Sequence, residues 1–210
     1  ELQQSLLELK SKIENIVCLA LGGLHGLEIE PKRRKYCMQH HMVCATAKFL
    51  SQHYASFSPS VAAKFILIVA FDPCYTLEDA HILSKLSTPI TVVSQPYQYL
   101  SVTPNTLVLC FHAPGFEPIY EIIADLLFPA GPAAMLCNMI VEHSWHKEGK
   151  MSVIDQRVPR VGKMLEQYDS VWLDAGWDCG KQNVKESLRW TQDVVFIYEK
   201  ARTLNIAKSK

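Results

Sequence analysis

The chain has 210 residues, 49% of them hydrophobic, and its 21 lysines and arginines balance its 21 aspartates and glutamates. This length predicts a single domain over residues 1–210 with one sizeable core. The zero net charge excludes a global attraction to a polyanion, although a local basic patch is still possible. No segment reaches the roughly 18 apolar residues of a membrane-spanning helix, so no membrane partner is expected.

Helical and strand patterns alternate along the first half of the chain. Leu2, Leu6, Leu9 and Ile13 lie on one face of a predicted N-terminal helix. Thr76 stands where it would cap a short helix, with Asp79 three residues further on. The elements predicted here are a strand over 16–21, a helix over 36–54, a strand over 65–71, a helix over 77–86 and a strand over 89–94.

The second half continues in the same way. The elements predicted here are a strand over 106–112, a helix over 119–128 and strands over 133–140, 170–175 and 193–198. Strands that alternate with helices predict an α/β fold, specifically a Rossmann-like three-layer sandwich. We expect a mostly parallel sheet of five to seven strands with helices on both faces.

Ligands of such sheets bind at the carboxyl ends of the strands. The candidate ligand-binding residues therefore follow the predicted strands or begin the helix over 119–128. They are Gly22, Gly23, His25, Asp72, His112, Tyr120, Glu121 and Asn138.

The stretch IVCLALGGLHG, residues 16–26, joins a predicted strand to a glycine turn. When the dinucleotide fingerprint Gly-x-Gly-x-x-Gly is aligned on Gly23 and Gly26, Leu21 stands at its first glycine. The ribose-binding acid should follow about 20 residues later, and Asp72 is far beyond that point. A tight turn is therefore favoured over an NAD site, a nonstandard ligand loop stays open, and no cofactor is predicted.

A basic run follows in the segment predicted to connect this turn to the next helix. Its residues Lys32, Arg33, Arg34 and Lys35 are candidate nucleic-acid contacts or a nuclear address. A solvated surface loop is the alternative interpretation and is favoured by the shortness of the run.

Metal-ligand patterns are weak. Cys37, His41 and Cys44 would share one helix face, and zinc uses such ligands, but the same spacing is typical of an apolar helix face, which we favour. His143 and His146 form His-x-x-His without an evident third ligand. No metal is predicted.

His112 ends a predicted strand and precedes Ala-Pro-Gly. A histidine in that place is able to act as an acid, a base or a ligand donor, or to bond a loop carbonyl, and both interpretations stay open. Gly-x-Ser-x-Gly is absent, so the serine-hydrolase elbow is not expected.

The cysteines and the N-terminus indicate the compartment. The cysteines number seven, and no two form Cys-x-x-Cys. Cys18, Cys110 and Cys137 lie in apolar runs, where cysteine behaves as a small hydrophobe. The first residues lack a basic start followed by an apolar run, so no signal peptide is expected. A reducing compartment, the cytoplasm or the nucleus, is predicted.

The order of motifs resembles the SRR-like domain family, named for sensitivity to red light reduced, over about residues 12–200. Two departures stand out: Gly23 replaces the family's turn serine, and Phe111-His112-Ala113 replaces its Pro-His-Cys. The motifs that carry the resemblance are LALGGLHG, Gln39-His40, AFDPCYTLED, TLVLCFHAPG, IYEII and MLCNMI.

The resemblance implies an intracellular regulatory role, since family members are linked with circadian and light-signalling regulation in plants. Some similar fungal proteins are cyclodipeptide synthases, which join arginine to a second amino acid from aminoacyl-tRNA. Their Asp-Asp-x-x-Glu motif has no counterpart here, and the nearest acidic pair is Glu78-Asp79.

The sequence thus predicts a regulatory or small-ligand-binding module whose pocket lies at the strand ends. Its partner would be a small molecule or a protein. The alternative is a tRNA-dependent cyclodipeptide synthase, and whether the protein is an enzyme stays open. An NAD-dependent oxidoreductase is disfavoured by the incomplete glycine fingerprint.

Overall fold

The computed structural model describes residues 2–9, 11–24, 30–57, 65–111, 117–138, 140, 158–173 and 195–200. Within these ranges there are six helices and seven strands. The helices are α1 (Leu2–Glu8), α2 (Glu30–Phe57), α3 (Leu77–Ser84), α4 (Tyr97–Leu100), α5 (Ile119–Leu127) and α6 (Pro159–Leu165). The strands are β1 (Asn15–Leu19), β2 (Leu67–Phe71), β3 (Ile90–Val92), β4 (Thr106–Cys110), β5 (Ala134–Asn138), β6 (Tyr168–Leu173) and β7 (Val195–Lys200).

All seven strands form one sheet in the order β3-β2-β1-β4-β5-β7-β6. The strands from β3 to β5 pair in parallel, whereas β7 runs antiparallel to both of its neighbours. The predicted α/β fold with a mostly parallel sheet is confirmed, and its Rossmann-like character stays a prediction. The strand order reverses between β1 and β4, which is where open α/β sheets leave a crevice at their carboxyl edge.

Alternate side chains of the central strands supply two separate cores. In β1, Ile16 and Cys18 join the core beneath α1, α2 and α3, while Val17 and Leu19 join the core beneath α4, α5 and α6. Strands covered on both faces are continuously apolar, as β1 and β4 are. The expectation of helices on both faces is therefore confirmed.

The main difference from the predicted elements is the start of α2. This helix begins at Glu30, so the basic run lies in its first two turns and not in a connecting loop. Lysine and arginine are good helix formers, and proline is tolerated in a first turn, so nothing local opposes this start. The loop interpretation of the basic run was wrong.

Two short helices, α4 and α6, were not predicted. α4 has four residues and α6 has seven, too few for a helical hydrophobic period to appear in the sequence. α6 begins with Pro159, a residue favoured at the first helical position. No helix among the described residues has both the length and the apolarity that crossing a membrane requires.

Candidate functional site

The turn after β1 is held by the carboxylate that follows β2. The two strands are in parallel register, Leu19 beside Phe71, so their carboxyl ends lie side by side. The N–H of Gly22 donates to Asp72 Oδ2 at 2.7 Å, and the N–H of Cys74 donates to Oδ1 at 2.8 Å. Asp72 thereby joins the turn after β1 to the turn after β2.

A second buried carboxylate, Asp79, holds the same turn from α3. Its Oδ1 accepts the N–H of Leu24 at 3.1 Å, and its Oδ2 accepts the N–H of Thr76 at 2.9 Å. Thr76 Oγ1 accepts the N–H of Asp79 at 3.1 Å, which completes the predicted capping box. One side chain therefore caps α3 and fixes the glycine turn.

Close packing of neighbouring groups requires glycine at both Gly22 and Gly23. Gly22 has a φ of 82°, and a Cβ there would lie 2.5 Å from the ring of Tyr36 in α2. A Cβ on Gly23 would lie 2.8 Å from the carbonyl oxygen of Cys74. The turn is thus packed between the start of α2 and the turn after β2.

His40 and Tyr75 form a hydrogen-bonded pair beside these carboxylates. His40 Nδ1 lies 2.7 Å from the carbonyl oxygen of Tyr36, so Nδ1 carries the proton and Nε2 accepts from the Tyr75 hydroxyl at 2.6 Å. Burial lowers the pKa of His40, while the Tyr36 carbonyl and the charges of Asp72 and Asp79 oppose that shift. Burial also raises the pKa of Tyr75, as do the nearby carboxylates.

This arrangement is not a phosphate cradle. A pyrophosphate at such a turn needs backbone N–H groups, and those of Gly22 and Leu24 already donate to carboxylates. Two carboxylates at this place would also repel a phosphate. The structure shows a turn held by two carboxylates, and the absence of an NAD site stays a prediction.

The sequence argument against a ribose acid nevertheless fails. Asp72 follows Gly22 by fifty residues in the chain, yet its carboxylate contacts the glycine turn. The intervening α2 has 28 residues, which makes the spacing in sequence uninformative about the distance in space.

The comparisons with known proteins identify the family. A family model described as the SRR1 domain matches residues 2–198. The chain belongs to the SRR1 domain family. Neither a curated protein nor a solved structure shows significant similarity to it. The match confirms the resemblance drawn from the order of motifs.

Gln39 is a further polar residue at this edge of the SRR1 domain. Its side chain is 4% exposed, and its Oε1 accepts no hydrogen bond from any described residue. Gln39 lies three positions after Tyr36, whose ring covers Gly22, so the two residues share a face of α2. The N-terminal part of α2 therefore carries the buried, unpaired Oε1 of Gln39 on the same helix face as Tyr36, the residue that covers Gly22.

Four residues of this site were not predicted as site residues: Gln39, His40, Tyr75 and Asp79. The inward face of α2 continues from His40 through Val43, Ala47 and Leu50. Polar residues that extend an apolar helical stripe at one end are a signal that was available in the sequence. The contacts of Tyr75 and Asp79 depend on tertiary structure, which the sequence alone does not reveal.

Tyr120 was expected to face the strand-end crevice, and the structure places it elsewhere. It is 3% exposed in the core beneath α4, α5 and α6, and its hydroxyl is hydrogen-bonded with the thiols of Cys137 and Cys110. Burial raises the pKa of Tyr120. The aromatic ring packs with that core because α5 turns this face toward the sheet.

The other predicted residues are not gathered at the glycine turn by any described contact. Glu121 is half-buried on α5 and close enough to act on the charge of Arg160 in α6. Asn138 is half-buried at the end of β5, Arg34 is exposed on α2, and Lys35 is half-buried there. The whole of His25 and His112, and the side chains of Lys32 and Arg33, lie outside what the structure describes.

The metal patterns receive no support from the described part of the chain. Cys37 and His41 are exposed, whereas Cys44 is half-buried and packs against the core beneath α1, α2 and α3, so the apolar-face interpretation holds for Cys44 alone. No group of three histidine, cysteine or acidic side chains among the described residues is placed to hold a metal ion. His143 and His146 lie outside those residues.

Proposed function

We propose that this SRR1 domain is a regulatory module of the cytoplasm or nucleus that binds a small polar molecule at the carboxyl edge of its sheet. The binding site would lie beside the glycine turn, between the ends of β1 and β2 and the first inward turns of α2. Asp72 and Gln39 would contact the ligand, and Asp79 and His40 would hold the site in shape.

The observation that carries the proposal is the buried, unpaired Oε1 of Gln39, a residue that directly precedes His40 of the hydrogen-bonded network. Asp72, Asp79 and Tyr75 each have hydrogen-bond partners within 3.1 Å. A buried acceptor without a partner costs stability, so its presence needs an explanation. A ligand that donates to this oxygen explains it and would lie at the edge where open α/β sheets bind their ligands.

The proposal is tested by amide NMR of the isotope-labelled protein with fractionated small-molecule extract from cells. Binding at the site would shift the backbone signals of Gly22, Gly23 and Cys74. Gly162 in α6 is the internal control, because it lies in another layer and should keep its shift. Shifts confined to α5 and α6, or none with any fraction, would contradict the proposed site.

A tRNA-dependent synthase is the second candidate, favoured by the position of the basic run. Residues 31–35 lie at the start of α2, which follows β1 and therefore begins at the carboxyl edge of the sheet. The chain also leaves β4 at that edge, just before His112. Basic side chains there could meet tRNA beside the strand-end crevice.

This candidate predicts tRNA binding that weakens as salt rises, because phosphate contacts release counterions. Alanine at Lys32, Arg33, Arg34 and Lys35 should abolish it. Alanine at Arg160 and Lys163, both exposed on α6, removes two positive charges elsewhere on the surface and should leave binding unchanged. Absence of binding at low salt would remove this candidate.

A further inference from the structure

The edge beside the glycine turn offers acceptors to a ligand. Each oxygen of Asp72 accepts one backbone N–H, from Gly22 or Cys74. A carboxylate oxygen is able to accept two hydrogen bonds, which gives Asp72 four acceptor positions. The Cys74 thiol is also hydrogen-bonded to this carboxylate, so one position stays free. With the unpaired Oε1 of Gln39, a bound molecule would meet two acceptor atoms and would have to supply donors.

The two carboxylates beside the glycine turn disfavour an anionic group in contact with them. Asp72 and Asp79 are both buried, and within the described ranges neither has a lysine or arginine as an ion-pair partner. Two carboxylates in a region of low dielectric repel a phosphate and attract a cation. A neutral or positively charged molecule therefore fits better than a nucleotide.

The position of Asp72 further restricts the class of ligand that the site would bind. It directly follows β2 and contacts the glycine turn after β1. The strand order of the sheet reverses between β1 and β4, so this turn lies beside the crevice. An acid near the glycine turn of a dinucleotide-binding sheet bonds the hydroxyls of a ribose. Here the N–H groups of Gly22 and Leu24 donate to carboxylates, while Asp72 keeps one free acceptor position.

We propose that the site binds a nucleoside without phosphate, with one ribose hydroxyl donating to Asp72 and a further donor on Gln39 Oε1. The proposal rests on the ligand site of the preceding subsection and names its ligand class. A neutral nucleoside and a nucleoside with a cationic side chain share this chemistry.

The experiment is calorimetric titration of the full chain with four probes. Adenosine and S-adenosylmethionine represent the neutral and the cationic nucleoside, 2′,3′-dideoxyadenosine lacks the diol, and AMP adds a phosphate. Loss of the diol and addition of the phosphate should each weaken binding about tenfold or more relative to adenosine. Tighter binding of S-adenosylmethionine would identify the cationic form, and equal binding the neutral one.

Failure of both adenosine and S-adenosylmethionine to bind at millimolar concentration would overturn the proposal, as would AMP binding more tightly than adenosine. Equal affinity for dideoxyadenosine would also overturn it. If an extract fraction shifts the signals of Gly22 and Cys74 while no nucleoside binds, the small-ligand site stands and the nucleoside assignment falls.

Gln39→Met separates ligand binding from folding. Methionine has a similar size and leaves no unpaired oxygen, so the melting temperature should stay or rise while adenosine affinity falls about tenfold. Thr46→Val alters another buried polar residue of α2, two turns further along, and should leave the affinity unchanged. Unchanged affinity in Gln39→Met would overturn the assigned contact.

Discussion

At the scale of single residues, Gly22 carries the strictest steric requirement in the site. Its φ of 82° is costly for any residue with a Cβ, and that Cβ would also meet the Tyr36 ring at 2.5 Å. We expect Gly22→Ala to lower the free energy of unfolding by at least about 1–3 kcal/mol, measured by urea denaturation.

Gly162 is the matched control for this substitution. It lies inside α6 with no atom within 4 Å of an added Cβ, so Gly162→Ala should raise the free energy of unfolding by about 0.5–1 kcal/mol. Effects of the same sign in the two variants would contradict the conformations assigned to these glycines.

Gln98 in α4 is a second buried glutamine with unpaired polar atoms. Its side chain is fully buried, and neither its Oε1 nor its Nε2 has a hydrogen-bond partner among the described residues. α4 packs on β1 and β2. Gln98→Met should therefore raise the free energy of unfolding, by about 1–3 kcal/mol, because it removes two unpaired polar atoms.

Thr106 gives the opposite case, a fully buried hydroxyl that is paired. Its Oγ1 donates to Asn15 Oδ1 at 2.7 Å and accepts the N–H of Thr103 at 2.7 Å. Thr106→Val should destabilise the protein because it leaves two partners unpaired. If both Gln98→Met and Thr106→Val destabilise the protein, the polar atoms of Gln98 do have hydrogen-bond partners, and the prediction for Gln98 is wrong.

At the scale of elements, local signals were predictable from the sequence and tertiary ones were not. The capping box of α3 follows from Thr76 and Asp79, three residues apart, because both of its bonds are local. The second use of Asp79, as acceptor for Leu24, depends on a contact across 55 residues. The start of α2 was missed because its first turns are charged and show no apolar stripe.

The pairing of α2 with the turn after β2 predicts a pH dependence of stability. Burial lowers the pKa of His40, so the folded protein keeps it neutral at a pH where the unfolded chain protonates it. Stability should be complete above the unfolded histidine pKa of about 6.5 and decline as the pH falls below it. Urea denaturation between pH 7.5 and 5.5 measures this decline.

His40→Gln should flatten this profile, because glutamine does not titrate and is still able to accept from Tyr75. His41→Gln is the control, since His41 is the exposed neighbour of His40 on the same helix. An unchanged slope in His40→Gln would show that other groups bind the protons.

At the scale of the whole molecule, the sheet is enclosed by two helical layers. Each of the two cores contains at least one cysteine thiol of the sheet. Cys18 in β1 faces the core beneath α2, while Cys110 in β4 and Cys137 in β5 face the core beneath α5. All three are buried, and burial raises the pKa of the Cys18 and Cys137 thiols, which disfavours the reactive thiolate. Cys37 and Cys74 are exposed.

These thiols test whether the sheet opens as one unit. Among the described cysteines, alkylation of the native protein, followed by mass spectrometry, should modify Cys37 first and then Cys74, whose pKa is raised by burial and by Asp72. The three sheet thiols should react only through global unfolding, with one common free energy that equals the value from urea denaturation. Reaction of Cys137 at a lower free energy than Cys18 would show that β5, which borders the antiparallel β7, opens separately from the central strands. In that case the carboxyl edge near β1 and β2 would belong to the more stable part of the sheet.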